Sequence, residues 1–145
     1  MKTLLELASP VRTSITPDDT VQRAVEIMFD RGTGAVPVIK GGKLVGIFSE
    51  RDLLRRVVAK KLSPDKTKVS EVMTGNVSTV LDSGKIDDAF HLMHKGQFRN
   101  LPIVDRSGKI LAMLSVLDLL KYRIEELNEE SKTLAAYVSA DGPGG

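Results

Sequence analysis

The chain has 145 residues, about one domain, and 41% apolar residues supply a core for it. A net charge of +2 is too mild to point to a nucleic-acid partner, and the lack of cysteine excludes a disulfide framework and thiolate chemistry. The apolar run in the first ten residues is too short for a signal peptide, and no window approaches the ~18 uninterrupted apolar residues of a membrane span. A cytoplasmic protein is therefore expected.

Residues 1–10 read as a short helix or an arm. The cluster Ser14-Ile15-Thr16-Pro17-Asp18-Asp19-Thr20 carries turn and helix-start residues. Val21, Ala24, Val25 and Met28 then fall at i, i+3, i+4 and i+7, one apolar helix stripe. Gly32 and Gly34 end that helix. Ala35 to Ile39 is a strand, edge-like or irregular because of Pro37. Lys40-Gly41-Gly42-Lys43 is a hairpin turn, and Leu44 to Phe48 is the return strand. From Ser49 the pattern is helical, with Leu53, Leu54, Val57 and Val58 on one side. Arg51, Arg55, Arg56, Lys60 and Lys61 form a basic face on the other.

A polar linker, residues 62–67, contains Ser63-Pro64, and the same order then repeats. Ile86, Ala89, Phe90 and Met93 match the first helix stripe at a step of 65. Gly96 matches the helix stop. Leu101-Pro102-Ile103-Val104 matches Val36-Pro37-Val38-Ile39 at the same step. The turn Asp105-Arg106-Ser107-Gly108-Lys109 is one residue longer, so Ser49 to Ser115 and Asp52 to Asp118 are both steps of 66. A fixed period over most of a short chain marks a duplicated unit, and an inserted loop residue is what such a unit tolerates. The division is an N-terminal arm (1–10), repeat 1 (11–61), linker (62–67), repeat 2 (68–122) and a C-terminal helical extension and tail (123–145).

After Asp118 the copies diverge. The second helix is expected to run to about Val138 and then fray. Leu117, Leu120, Ile124, Leu127, Ser131, Leu134 and Val138 alternate steps of three and four, a heptad seam with one polar member. A seam of this kind either packs along its own domain or meets a second subunit. The second is expected, because the extension outruns the repeat that would cover it.

The segment from Gly34 to Leu54, with Pro37 and the Ser49-Glu50-Arg51-Asp52 turn, resembles the core of a cystathionine-β-synthase (CBS) domain. Phe98-Arg-Asn-Leu-Pro-Ile-Val-Asp, followed by Leu114-Ser-Val-Leu-Asp-Leu-Leu, resembles a second. The resemblance covers about Val11 to Tyr122. It implies an α/β (α+β) fold of two β-α-β-β-α units about a pseudo-twofold axis, with a long C-terminal helix here. It also implies two clefts, each lined by both copies, that take an adenosine-containing ligand: AMP, ADP, ATP, NAD(H) or S-adenosylmethionine. Sensing rather than catalysis is implied, commonly by a homodimer signalling to another protein, so no enzyme activity is expected.

By the same resemblance, Asp52 and Asp118 would accept hydrogen bonds from ribose hydroxyls. Ser49 and Ser115 would stand at helix N-termini, where free N–H groups favour phosphate. Arg51 would add a cation to one cleft only, so unequal clefts are expected, with that one favouring phosphate. Ser14 and Thr79 sit where the family often places a ribose- or phosphate-holding hydroxyl. Gly34, Ala35 and Val36, and Arg99, Asn100 and Leu101, would cradle adenine, with Arg99 able to reach a phosphate. Ser-x-x-Asp is also close to a helix capping box, which needs no ligand, and the serine can serve in both ways.

Alternatives stay open. The protein can be a dimerisation scaffold with degenerate clefts, or it can meet RNA or an acidic partner through the basic face. Aromatic residues at 4% make an RNA stacking platform poorly supported. His91 and His94 lie three apart on a helix, but no third ligand is evident and no metal is expected. No nucleophile–base set or Gly-rich phosphate loop stands out.

Overall fold

A computed structural model describes residues 2–141, with side chains to residue 130. The chain opens with helix α1 (Leu4–Leu7) and strand β1 (Ser9–Pro10), then helix α2 (Val21–Arg31) and strands β2 (Ala35–Lys40) and β3 (Lys43–Ser49). Helix α3 (Glu50–Asp52) continues into a π-helical stretch, Leu53–Val58. The second half follows with α4 (Val69–Val72), β4 (Val80–Leu81), α5 (Ile86–Gly96), β5 (Asn100–Val104), β6 (Ile110–Ser115) and α6 (Val116–Asp141). This mixed α+β order, with its long last helix, is the one expected from the repeat.

Local chemistry sets the boundaries. The Thr20 hydroxyl accepts from the Arg23 N–H and caps α2, and Gly32 ends it in the left-handed region at φ 63°. The second copy stops differently. Gly96 is still helical, and Gln97 takes the left-handed turn at φ 54°. The Phe98 ring folds against Gly96, where a Cβ would overlap it and push it aside.

The repeats exchange their opening segments. Strand β1 pairs antiparallel with β6, giving one sheet the order β1-β6-β5-β4. The other sheet is β2-β3, extended at one side by the Ile15↔Val38 bridge and at the other by Thr74↔Ile47. Thr74 stands 65 residues after Ser9, and Ile47 stands 66 before Met113, Ser9's partner, so the two sheets share one plan. Both carry a register shift at matching points, Val38/Ile39 and Ile103/Val104. Gly46 permits the close approach: a Cβ there would lie 2.6 Å from Met73 Sδ and 2.9 Å from the Thr74 carbonyl oxygen.

Two cores result. The first gathers Ile15, Val21, Ala24, Val36, Phe48 and Val57 with Val69 and Val72 from beyond the linker. The second gathers Leu101, Ile103, Leu114 and Leu119 with Leu4 from the opening arm. Leu4 is 1% exposed, so the arm is a structural part of the second repeat's core. The linker is fastened too: the carbonyls of Pro64 and Thr67 accept from Gln22 and Val21, the unpaired N–H groups at the start of α2.

After β3 the helix differs from expectation. Val57 is buried and Leu53 half-buried, but Leu54 and Val58 are 63% and 59% exposed. The wider π turn, seen in the Ala59 N–H to Leu54 O and Leu62 N–H to Val57 O bonds, carries them off the inward face. Their counterparts on α6, Leu120 and Ile124, are also exposed, at 45% and 55%. Leu117 and Leu127 join them on the surface. The seam positions Ser131, Leu134 and Val138 lie outside the described side chains, and the expected fraying beyond Asp141 lies outside the described residues. Among the described residues no helix is long and apolar enough to cross a membrane.

Candidate ligand cleft

Each return strand ends in an extended serine that starts a helix. In the first copy the Ser49 Oγ accepts from the Asp52 N–H at 3.3 Å, while Asp52 Oδ2 accepts from the Ser49 N–H at 3.0 Å. In the second, Ser115 Oγ accepts from the Asp118 N–H at 3.1 Å and Asp118 Oδ2 from the Ser115 N–H at 3.0 Å. Both pairs are therefore reciprocal capping boxes. The segment before each proline is tied to the same turn: Glu50 N–H donates to the Gly34 carbonyl at 2.9 Å, and Val116 N–H to the Arg99 carbonyl at 2.8 Å.

The two carboxylates then part company. Asp52 is 4% exposed. Its Oδ2 also takes the Ser49 hydroxyl at 3.1 Å, and its Oδ1 takes the Thr74 hydroxyl at 3.0 Å, with Arg56 Nε 3.7 Å away. Arg56 is held in turn by the Met73 carbonyl at 2.7 Å. Asp118 is half-buried, and among the described residues its Oδ1 has no protein donor.

Asp118 opens into a cleft of about 370 Å³ between the repeats. Ser115, Met113 and Asn100 line it from the second copy, and Ala35, Pro37, Arg31 and Thr33 from the first. Residues 9–13 close one side, and they bring Arg12 and Thr13. Neither Arg12 nor Arg31 forms an ion pair among the described residues. A carboxylate oxygen and two guanidiniums, none of them paired among the described residues, thus share one hollow with small apolar side chains. It can accept hydrogen bonds from a diol, neutralise an anion and pack against a flat ring.

Of the residues singled out in the sequence, Asp118, Ser115, Ala35 and Asn100 meet in this cleft. Val36 and Leu101 are fully buried in the two cores and do not reach it. Gly34 and Arg99 contribute the carbonyls that tie down the helix starts, and the Arg99 side chain is exposed. Arg51 is also exposed and lies outside the cleft lining. Ser14 is exposed and Thr79 half-buried, and neither lines the cleft; Thr13, one residue before Ser14, does. Ser49 and Asp52 are outside it as well. His91 and His94 sit on the exposed face of α5. Arg12, Arg31 and Thr33 had no local signal to mark them, since only the exchange of opening segments and the end of α2 bring them to Asp118.

Two interlocked β-α-β-β-α repeats with a cleft between them define a paired-repeat α+β module. A family model of the CBS domain matches residues 6–59 and again 69–125. The chain belongs to the CBS domain family. It is 36% identical over 128 residues to the mitochondrial CBS domain-containing protein CBSX3 of Arabidopsis thaliana, covering 85% of this chain and 62% of that one. It is 38% identical over 117 residues to CBSCBSPB3 of the same plant, covering 81% of this chain but 21% of the relative, so it spans about a fifth of that protein. Among solved structures, a protein with CBS domains from Burkholderia ambifaria aligns at TM-score 0.77 and 35% identity, over 86% of this chain and 95% of that one. CBSX2 in complex with AMP aligns at TM-score 0.75 and 26% identity, over 86% and 98%.

Proposed function

We propose that the chain binds an adenosine-containing ligand in the cleft between its repeats and acts as a regulatory module, occupancy being coupled to its conformation or assembly. The observation that carries this reading is Asp118 Oδ1, without a protein donor among the described residues, at the wall of a cleft lined by both repeats. A ribose diol on that oxygen and adenine against Ala35 and Pro37 would tie the repeats together. Ligand then shifts the equilibrium between two shapes by its different affinity for each. The AMP bound to CBSX2 supports the ligand class. The candidates are AMP, ADP, ATP, NAD(H) and S-adenosylmethionine. Regulation rather than catalysis is our reading, although inosine-5'-monophosphate dehydrogenase of Thermoplasma acidophilum, 31% identical over 131 residues, shares this segment as 26% of its length. We place the protein in the cytoplasm.

The exposed apolar side chains Leu54, Val58, Leu117, Leu120, Ile124 and Leu127 favour a homodimer, and with it a second reading as a dimerisation scaffold. A melting screen of the intact chain separates the readings. At about 100 times Kd a true ligand adds roughly 2.7 kcal/mol of stability. A rise with an adenine nucleotide supports the sensor, and no rise with any of the candidates leaves the scaffold.

A further inference from the structure

We infer that the two clefts are unequal in kind: the Asp118 cleft takes one phosphate-bearing adenosine ligand, and its pseudo-twofold counterpart at Asp52 takes none. This rests on the reading of the Asp118 cleft given above, and it concerns which ligands enter and how many.

The counterpart is clasped from inside the chain. Both oxygens of Asp52 are already in use, one by Ser49 and the other by Thr74 with Arg56 alongside. A ribose diol there would have to reach a carboxylate that is almost wholly buried and already holds the Thr74 hydroxyl. The equivalent of Thr74 at Asp118 is Ser9, which lines the open cleft and makes no bond to the acid. The equivalent of Arg56 is Tyr122, which brings no cation.

The cations are distributed just as unevenly. At the steps of 65 that relate the copies, Arg12 is replaced by Val77, Arg31 by Gly96 and Thr33 by Phe98. The Phe98 ring folds onto Gly96, so an aromatic face stands where the open cleft has an arginine and a hydroxyl. Arg12 and Arg31 outweigh Asp118, and the open cleft is net positive. It favours a ligand with a phosphate over a neutral nucleoside, and both over a cationic sulfonium. Arg12 and Arg31 are the specificity-determining residues, and Asp118 the one that holds the sugar.

Calorimetric titration of the intact protein with AMP, ATP, adenosine and S-adenosylmethionine tests this. The expected result is one equivalent per chain, with AMP and ATP about 10- to 100-fold tighter than adenosine. The double variant Arg12→Gln/Arg31→Gln should bring AMP and adenosine to about equal affinity. Two equivalents per chain would overturn the closed cleft, and equal affinity for AMP and adenosine would overturn the phosphate selection. In both cases the Asp118 site itself would stand. Binding of none of the four would overturn that site and this inference together.

Discussion

Replacing each aspartate with alanine should produce opposite phenotypes, although the two stand in identical sequence motifs. Asp52→Ala removes a buried acceptor and leaves the Thr74 hydroxyl and the Ser49 N–H without their partner. A hydrogen bond to a charged group contributes roughly 1.5–3 kcal/mol, and a lost helix cap costs about 0.5–2. These share atoms and do not add in full, and the half-exposed Arg56 adds little. The expected loss is about 2–4 kcal/mol, or roughly 4–16 °C in Tm for a chain of this size. Asp118→Ala loses only the cap of α6 at a half-buried position, about 1 kcal/mol, but should weaken nucleotide binding by about 10- to 100-fold. Urea denaturation followed by circular dichroism, with calorimetric titration of each variant, reads both axes. Equal stability losses, or an Asp118→Ala variant that binds AMP like the parent, would refute the division of labour.

Gly46→Val should destabilise by about 1–3 kcal/mol in the same denaturation assay, because the new side chain meets the Thr74 backbone carbonyl, which is held in the bridge to Ile47, and must also push the Met73 side chain aside. Leu120→Glu/Ile124→Glu should convert a dimer to a monomer in sedimentation velocity and leave nucleotide affinity intact. An unchanged sedimentation coefficient would count against the α6 face. The Ser107 hydroxyl bond, ahead of the backbone N–H groups of Lys109 and Ser107 and the Lys109 charge, holds the Asp105 carboxyl below its usual value. Its folded pKa is depressed, so its contribution is present above the unfolded value of about 4 and is lost as pH falls through the folded one. NMR titration of Ser107→Ala should move the Asp105 midpoint upward.

The repeat was legible because chemistry recurs at a fixed step: helix stripes, prolines, hairpin turns and serine–aspartate caps all return after 65 or 66 residues. The site was legible only in part. Asp118, Ser115, Ala35 and Asn100 stand within the recurring motifs and do line the cleft. Arg12 and Arg31 do not recur, and nothing local distinguishes them from solvated surface arginines. Arg12 meets Asp118 through the exchanged opening segment, and Arg31 through the end of α2. The same exchange buries Leu4, which read as part of an arm. The contrast between Asp52 and Asp118 was hidden for a related reason. It is decided by Thr74 against Ser9, residues about 22 and 109 positions away along the chain, whose effect depends on pairing across the sheets. Leu54 and Val58 fitted an inward helix stripe, but the π turn rotates them outward.

The most direct measurement is a crystal structure of the intact chain with AMP. It should place the ribose hydroxyls within hydrogen-bond distance of Asp118 Oδ1 and the phosphate beside Arg12 and Arg31, with the Thr74–Asp52 bond intact. Nucleotide seated against Asp52 with Thr74 displaced, or bound away from the cleft between the repeats, would contradict it.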